Sequence, residues 1–259
     1  MDLNKNDRAA WFRGSSAECS APPNELESPW RLALLGAPGV GKGTQASLLS
    51  ERLGACHLST GDVFRAAAGQ SECEHTPAMK TAFENIRRGA LVPDATVWGI
   101  VRERSACLRC RGGFILDGFP RTLSQAVELK KLMDEENLPL DAVVNYDLPL
   151  DEIVSRLSGR RTCRQCKAVF HVTGQAPEIE GVCDRCGGSL FQREDDRPES
   201  IAVRMEAYQR ATAPLIRFYT DLKLLTTVVA SGAPEDICER TLAALAQITR
   251  SSALQLTTK

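Results

Sequence analysis

No run of apolar residues in this chain approaches the roughly 18 needed to cross a bilayer, so no membrane-spanning helix is expected. Net charge is nearly absent: 32 Lys and Arg against 33 Asp and Glu leave −1. That balance provides no broad field for gripping nucleic acid or an anionic membrane, and any recognition of phosphate must be local. The first thirty residues lack a hydrophobic signal core, and Asp2, Asp7, Glu18, Glu25 and Glu27 are unlike an acid-poor transit peptide. The expected compartment is the cytoplasm, with a trimmed organellar precursor as the alternative. There is no internal repeat. What remains is 259 residues, 43% hydrophobic and 25% charged, ordinary for a soluble protein of one or two domains with a sizeable core.

Against that background one stretch stands out. The apolar run Leu32-Ala33-Leu34-Leu35 leads directly into Gly36-Ala37-Pro38-Gly39-Val40-Gly41-Lys42-Gly43-Thr44. This is the pattern G-x-x-x-x-G-K-[ST] with one glycine, Gly43, added between lysine and hydroxyl. Glycines let backbone N–H groups turn inward around a phosphate, the following helix adds its positive end, and Lys42 supplies a point charge for the β- and γ-phosphates. The stretch predicts a nucleoside triphosphate held by Gly39, Val40, Gly41, Lys42, Gly43 and Thr44.

Downstream, helices and strands alternate. Helices are expected at Thr44–Leu53 (capped by Gly54), from the block His57–Arg65, at 77–88, from Pro93-Asp94 to about Ser105, and at 122–136, 150–157, 199–222 and 234–249. Strands are expected at 113–117, 142–146 and 225–230, besides the apolar run before the glycines. Strands separated by helices imply a parallel sheet flanked by helices, an α/β class with small insertions. Residues 1–29 read as a poorly ordered extension, with Trp11 and Phe12 able to pack it onto the body.

Ten cysteines is many for an intracellular enzyme. Cys163-x-x-Cys166 and Cys183-x-x-Cys186, with sixteen residues between the pairs, match the spacing of a tetrahedral Cys₄ zinc site. An Fe–S cluster and disulfides are the alternatives. Four thiolates leave no open coordination position, so the zinc would be structural. A third pair, Cys107-x-x-Cys110, together with Cys73 and either His75 or Cys19, is a candidate second metal site; ordinary free thiols are the competing reading. Cys56 and Cys238 read as small buried residues.

The GKGT loop, Ser59–Arg65 (STGDVFR), Leu116–Thr122 (LDGFPRT), the cysteine segment and Arg193–Asp196 (REDD) together resemble adenylate kinase of the type with a zinc-bearing lid. The similarity runs from about Arg31 to Thr249. The resemblance implies a P-loop NTPase-like core over 30–249, an AMP-binding helical region at 59–92, a zinc-ribbon lid at 159–196, a tail at 250–259 and a monomer. It also implies the reaction Mg·ATP + AMP ⇌ 2 ADP, with ATP, AMP and ADP as partners and Mg²⁺ and structural Zn²⁺ as cofactors.

Phosphoryl transfer needs in-line positioning and neutralised equatorial charge, not a nucleophile, and so calls for converging cations. By resemblance Arg65, Arg121, Arg193 and Arg204 contact the AMP phosphate or the transferring group, Arg160 the ATP phosphates, and Arg156 stacks over the adenine of ATP. Val169 and Phe170 would meet ATP from the lid, and the backbone at Gly232–Pro234 its adenine. Asp117, expected at the carboxyl end of a strand, can hold Mg²⁺ through its water shell or serve as a turn aspartate. Gln125, four residues after Arg121 and expected on the same helical face, offers an amide that matches an adenine edge; a solvent-exposed helix residue is the alternative. Thr60, Gly118, Phe119, Pro120 and the backbone of Ala90, Leu91 and Val92 would complete the AMP side. Two other functions fit parts of the sequence: a kinase for another nucleoside monophosphate, and a zinc-ribbon nucleic-acid-binding module with a vestigial P-loop.

Overall fold

The computed structural model describes Trp11 and residues 29–67, 77–109, 112–174 and 176–256. Its strands are β1 (Trp30–Gly36), β2 (Cys56–Ser59), β3 (Gly113–Asp117), β4 (Ala142–Asp147), β5 (Arg160–Cys163), β6 (Val169–His171), β7 (Leu190–Phe191) and β8 (Leu225–Val229). The helices are α1 (Lys42–Leu53), α2 (Thr60–Ala67), α3 (Pro77–Arg87), α4 (Asp94–Glu103), the short α5 (Ser105–Leu108), α6 (Leu123–Glu135), α7 (Leu150–Gly159), α8 (Pro198–Ala207), α9 (Pro214–Asp221) and α10 (Pro234–Leu256). Among the described residues no helix is long and apolar enough to cross a membrane.

Five strands form one parallel sheet in the order β2-β3-β1-β4-β8. Every return to the sheet passes through helix, as parallel pairing requires. Both faces are covered, because alternate residues of each central strand enter different cores. Ala33, Leu35, Phe114, Leu116 and Val143 pack on one face with Val63, Phe64, Trp98 and Leu129. Leu32, Leu34, Ile115, Val144 and Tyr146 pack on the other with Leu49, Ile153 and Ile237. A strand buried on both faces loses the polar alternation that betrays strands in sequence. That explains β2: the block His57–Arg65 is expected to open a helix, but Cys56–Ser59 is an edge strand paired with β3, and the helix begins at Thr60.

The expected single helix over 199–222 is also divided. Pro214 has no N–H to donate, so the chain widens into a π turn at Tyr208–Thr212, where Ala213 N–H reaches back to the Tyr208 carbonyl at 2.8 Å. The turn aims Thr212, whose hydroxyl donates to the Arg121 carbonyl at 2.8 Å.

Strands β5, β6 and β7 make a small antiparallel ribbon, ordered β6-β5-β7, apart from the main sheet. Its own core is Cys163, Ala168, Phe170 and Cys183, with Leu190 packed against it. Two large apolar side chains contribute about 1.5–3 kcal/mol each, against about 1–2 kcal/mol of backbone entropy for every residue ordered. The ribbon needs another source of stability.

At the N-terminal end, Trp11 does pack onto the body, the outcome its sequence left open: it is 1% exposed within the core that holds Val63, Phe64 and Trp98. Phe12 lies outside the described residues.

Candidate active site

The glycine loop leaves the sheet from its central strand, where Gly36 pairs with Tyr146. A Cβ at Gly36 would lie 2.5 Å from the Tyr146 carbonyl oxygen, and its φ of +131° is itself unfavourable for other residues. Lys42, first residue of α1, curls back so that its ammonium donates to the Gly36 and Ala37 carbonyls at 2.7 and 2.9 Å. Loss of water around it, together with the neighbouring Arg121, Arg204 and Arg160, lowers its pKa from 10.5 to about 7, with Asp117 pulling the other way. Gly43 and Thr44 are exposed on the open side of the loop.

Asp117 ends β3, and the register sets it opposite Leu34, two residues before the loop. Its carboxylate faces the loop: a Cβ at Gly43 would sit 3.4 Å from Oδ2. His57 Nε2, on the neighbouring edge strand, lies 3.2 Å from the same oxygen. Burial pushes the Asp117 carboxyl up, but the His57 contact and the charges of Lys42 and Arg65 outweigh it and hold the acid well below its ordinary range. An ionised carboxylate beside a triphosphate cradle is a suitable outer-sphere holder for hydrated Mg²⁺.

The arginines come from five parts of the chain. Arg65 of α2 pairs with Asp62. Arg121, in the turn after β3, donates through Nε to the Gly118 carbonyl at 3.0 Å. Arg160 opens β5 and grips Asp196, Nε to Oδ2 at 2.7 Å. Arg193, just after β7, donates to the Thr162 hydroxyl at 2.9 Å. Arg204 of α8 reaches Asp195 and Asp196, each at 3.0 Å. Burial and then the Arg160 and Arg65 charges lower Arg193 to about 9. Arg204 is lowered too, by burial and then by Arg160 and Arg121, against Asp195 and Asp196. Cations that depress one another are short of negative charge, which a bound polyphosphate supplies.

Lys42, Gly89, Leu91, Gly118, Arg121 and Arg204 line one cleft between the loop and the 59–92 segment. Gly89 allows the approach. A Cβ there would meet the Ser200 carbonyl at 2.5 Å and Arg204 Cγ at 2.7 Å, so only glycine brings Ala90–Val92 down onto α8.

Among the residues expected to meet a base, Thr60 is buried and donates to the Gly118 carbonyl at 3.0 Å. Gln125 does not share a helical face with Arg121, because α6 begins at Leu123 with the Thr122 hydroxyl capping the Gln125 N–H at 3.2 Å. The two meet through a turn instead: the Gln125 carbonyl accepts from Arg121 N–H at 2.7 Å, and its NH₂ donates to Asp94 at 2.7 Å. Gln125 is 2% exposed, which removes the reading of a solvated helix residue. One amide hydrogen and one lone pair of the side chain remain beyond these two bonds. Phe119 is wholly buried and edge-on to Trp98 at 5.2 Å, so its side chain packs while Gly118 and Pro120 line the cleft.

Arg156 lies on α7, ahead of the ribbon, and donates to the Ala230 carbonyl at 2.9 Å and the Val40 carbonyl at 3.4 Å. That position borders the loop running from Ala230 to Pro234, whose carbonyl accepts from Gln45 at 2.8 Å. Val169 and Phe170 face opposite ways: Val169 is 43% exposed, whereas Phe170 fills the ribbon core.

In the ribbon, the Sγ atoms of Cys163, Cys166, Cys183 and Cys186 all lie within 4.8 Å of one another. Cys163–Cys186 and Cys166–Cys183 approach to 3.5 Å. A tetrahedral zinc with arms of about 2.3 Å would hold its sulfurs about 3.8 Å apart, so the donors fit. Burial pushes the Cys163 thiol up, yet the backbone N–H groups of Cys166 and Gln165 bring it down to about 6. Of the candidate second site, Cys19, Cys73, His75 and Cys110 lie outside the described residues, and Cys107 packs half-buried against the main core.

Four contributors escaped the sequence reading: His57, Asp94, Gln45 and the acceptor role of Asp195-Asp196. Only the last pair carried a signal, since two acids beside Arg193 invite ion pairing.

A phosphate cradle on the central strand of a parallel sheet, faced by mutually crowded cations, defines a P-loop nucleotide-binding protein. The family model described as adenylate kinase matches residues 34–224. An adenylate kinase of Thermodesulfovibrio yellowstonii is 47% identical over 207 residues, 80% of this chain and 94% of that protein. One of Acidothermus cellulolyticus is 46% identical over 215 residues, covering 83% and 97%, and one of Syntrophotalea carbinolica is 51% identical over 189 residues, covering 73% and 86%. The chain belongs to the adenylate kinase family.

Proposed function

We propose that this chain catalyses Mg·ATP + AMP ⇌ 2 ADP by holding two nucleotides in line and neutralising the charge that passes between them. The observation that carries this is the cleft beside the glycine loop lined by Lys42, Arg121 and Arg204, with Arg160 held on the same Asp196 carboxylate as Arg204. Phosphoryl transfer is served by such a cluster with no covalent intermediate.

In this reading the backbone from Gly39 to Thr44 and Lys42 bind the ATP phosphates. Arg156 and the Pro234 loop border the adenine, and Val169 reaches it from the lid. Arg65, Arg121, Arg193 and Arg204 hold the AMP phosphate and the transferring group, while Arg160 bridges toward ATP. Thr60, Gln125 and the backbone of Ala90–Val92 receive the AMP base. Mg²⁺ carried by ATP would add positive charge on the phosphate oxygens, and Asp117 would orient it through water. Cys163, Cys166, Cys183 and Cys186 would hold a structural zinc that makes 159–196 a folding unit able to close and exclude water from the transfer. We expect a cytoplasmic monomer with no nucleic-acid or membrane partner.

The test is a coupled assay of ADP formation from ATP with AMP, GMP, CMP and UMP in parallel, alongside metal analysis of the same preparation. Preference for AMP by at least about 10²-fold is expected where a buried amide reads the base. A stronger signal with another monophosphate would reassign the acceptor, and salt-sensitive nucleic-acid binding without turnover would overturn the enzymatic reading.

A further inference from the structure

Trp11 lies outside the residues 34–224 matched by the family model, yet it is among the most completely buried large side chains described. Its indole N–H donates to the Ser59 carbonyl at 2.9 Å. Its own carbonyl accepts from Arg104 Nε at 2.5 Å.

Each partner leads to the monophosphate side of the cleft. Ser59 forms the corner between β2 and α2; its hydroxyl accepts from Asp62 N–H at 3.2 Å, and Thr60 follows it directly. Arg104 follows the last residue of α4, is 8% exposed, and also donates to the Ile100 carbonyl at 3.2 Å. The first residue of α4 is Asp94, which holds Gln125 at 2.7 Å and the Thr122 hydroxyl at 2.8 Å. One residue from outside the matched region thus ties the corner bearing Thr60 to the helix whose other end fixes Gln125.

We propose that Trp11 is a positioning residue for the AMP site, holding the Ser59–Thr60 corner and α4 at the separation that the monophosphate requires. This rests on the reading of Thr60 and Gln125 as the AMP side. A plain hydrophobic anchor would stabilise the fold without distinguishing the two nucleotides. A positioning residue distinguishes them, because the ATP cradle hangs from β1 and α1, whereas among the described residues the hydrogen bonds of Trp11 run to Ser59 and Arg104.

The full-length chain is assayed as Trp11→Phe, which keeps an aromatic in the core and removes the indole N–H, and as Trp11→Ala. The KM for AMP should rise roughly fivefold in Trp11→Phe, the scale of one lost buried hydrogen bond, and further in Trp11→Ala, with the KM for ATP within twofold of wild type in both. If Trp11→Ala fails to fold, Trp11→Phe decides alone. Equal change in both KM values, or a lowered melting temperature with AMP affinity intact, would overturn the proposal and leave an anchor. Failure of the unsubstituted enzyme to saturate with AMP would sink the functional reading itself, a separate and visible result.

Discussion

Arg160 and Asp196 close the base of the lid upon one another. The guanidinium at the start of β5 takes both carboxylate oxygens, Nε on Oδ2 at 2.7 Å and Nη2 on Oδ1, and Arg204 adds a contact to Oδ1 at 3.0 Å. Asp196 is fully buried, so its charge is compensated by these two arginines. The carboxylate that staples the two ends of the insertion also holds Arg204, which lines the cleft.

Removing the carboxylate should therefore affect stability and turnover together. Asp196→Ala leaves Arg160 partly buried without its carboxylate and Arg204 with Asp195 alone, at a cost of about 3 kcal/mol in denaturant unfolding, with kcat lowered at least about tenfold as the Arg160 guanidinium loses its aim. Unchanged stability in this variant would mean that the pair contributes nothing net.

Lys42→Met should lower kcat/KM by about 10²–10³-fold, as for loss of one preorganised charge at the transferring group, without loss of fold. It also carries a pH signature in the nucleotide-free protein. The lysine's pKa falls from 10.5 to about 7 on folding, so the charged form is penalised in the folded state. That penalty is complete below about pH 7 and is relieved as pH rises toward 10.5. Wild type should gain stability relative to Lys42→Met across that window; parallel stability curves for the two proteins would contradict the shift.

Metal analysis should find one zinc per chain, lost in Cys183→Ser. Chelation should lower the melting temperature and expose 160–196 to protease before the main sheet, since two large side chains cannot offset the entropy of ordering that segment. A ratio near two would instead favour the second site around Cys73, Cys107 and Cys110.

Gln125→Leu strands the Arg121 N–H and a carboxylate oxygen of Asp94, both now paired at 2.7 Å. The KM for AMP should rise about 10- to 100-fold while that for ATP holds. If the monophosphate preference among AMP, GMP, CMP and UMP stays the same, Gln125 does not read the base.

Much of this molecule is legible in its sequence. The glycine loop needs a particular order of residue types, so Gly36–Thr44 announces itself, and the Cys163–Cys186 spacing does the same for a metal. Strand β3 and helix α6 came within a residue of their expected limits because glycine, proline and a capping threonine mark them. β2 did not, since a short buried strand has no alternation, and residues 199–222 read as one helix because the apolar periodicity runs on through the π turn at Tyr208–Thr212. Gln125 does neighbour Arg121, but through the turn that precedes α6 and not along a shared helical face.

By itself, then, the order of residues determined the chemistry on offer: a phosphate cradle, a set of arginines and a thiolate quartet, all local patterns in which a few positions constrain each other. Only the tertiary structure decided which acid holds which cation, that His57 backs Asp117, and that Trp11 reaches Ser59 and Arg104 across 48 and 93 residues. Those pairings depend on where distant segments cross the sheet, and burial, the force that brings them there, is blind to separation along the chain.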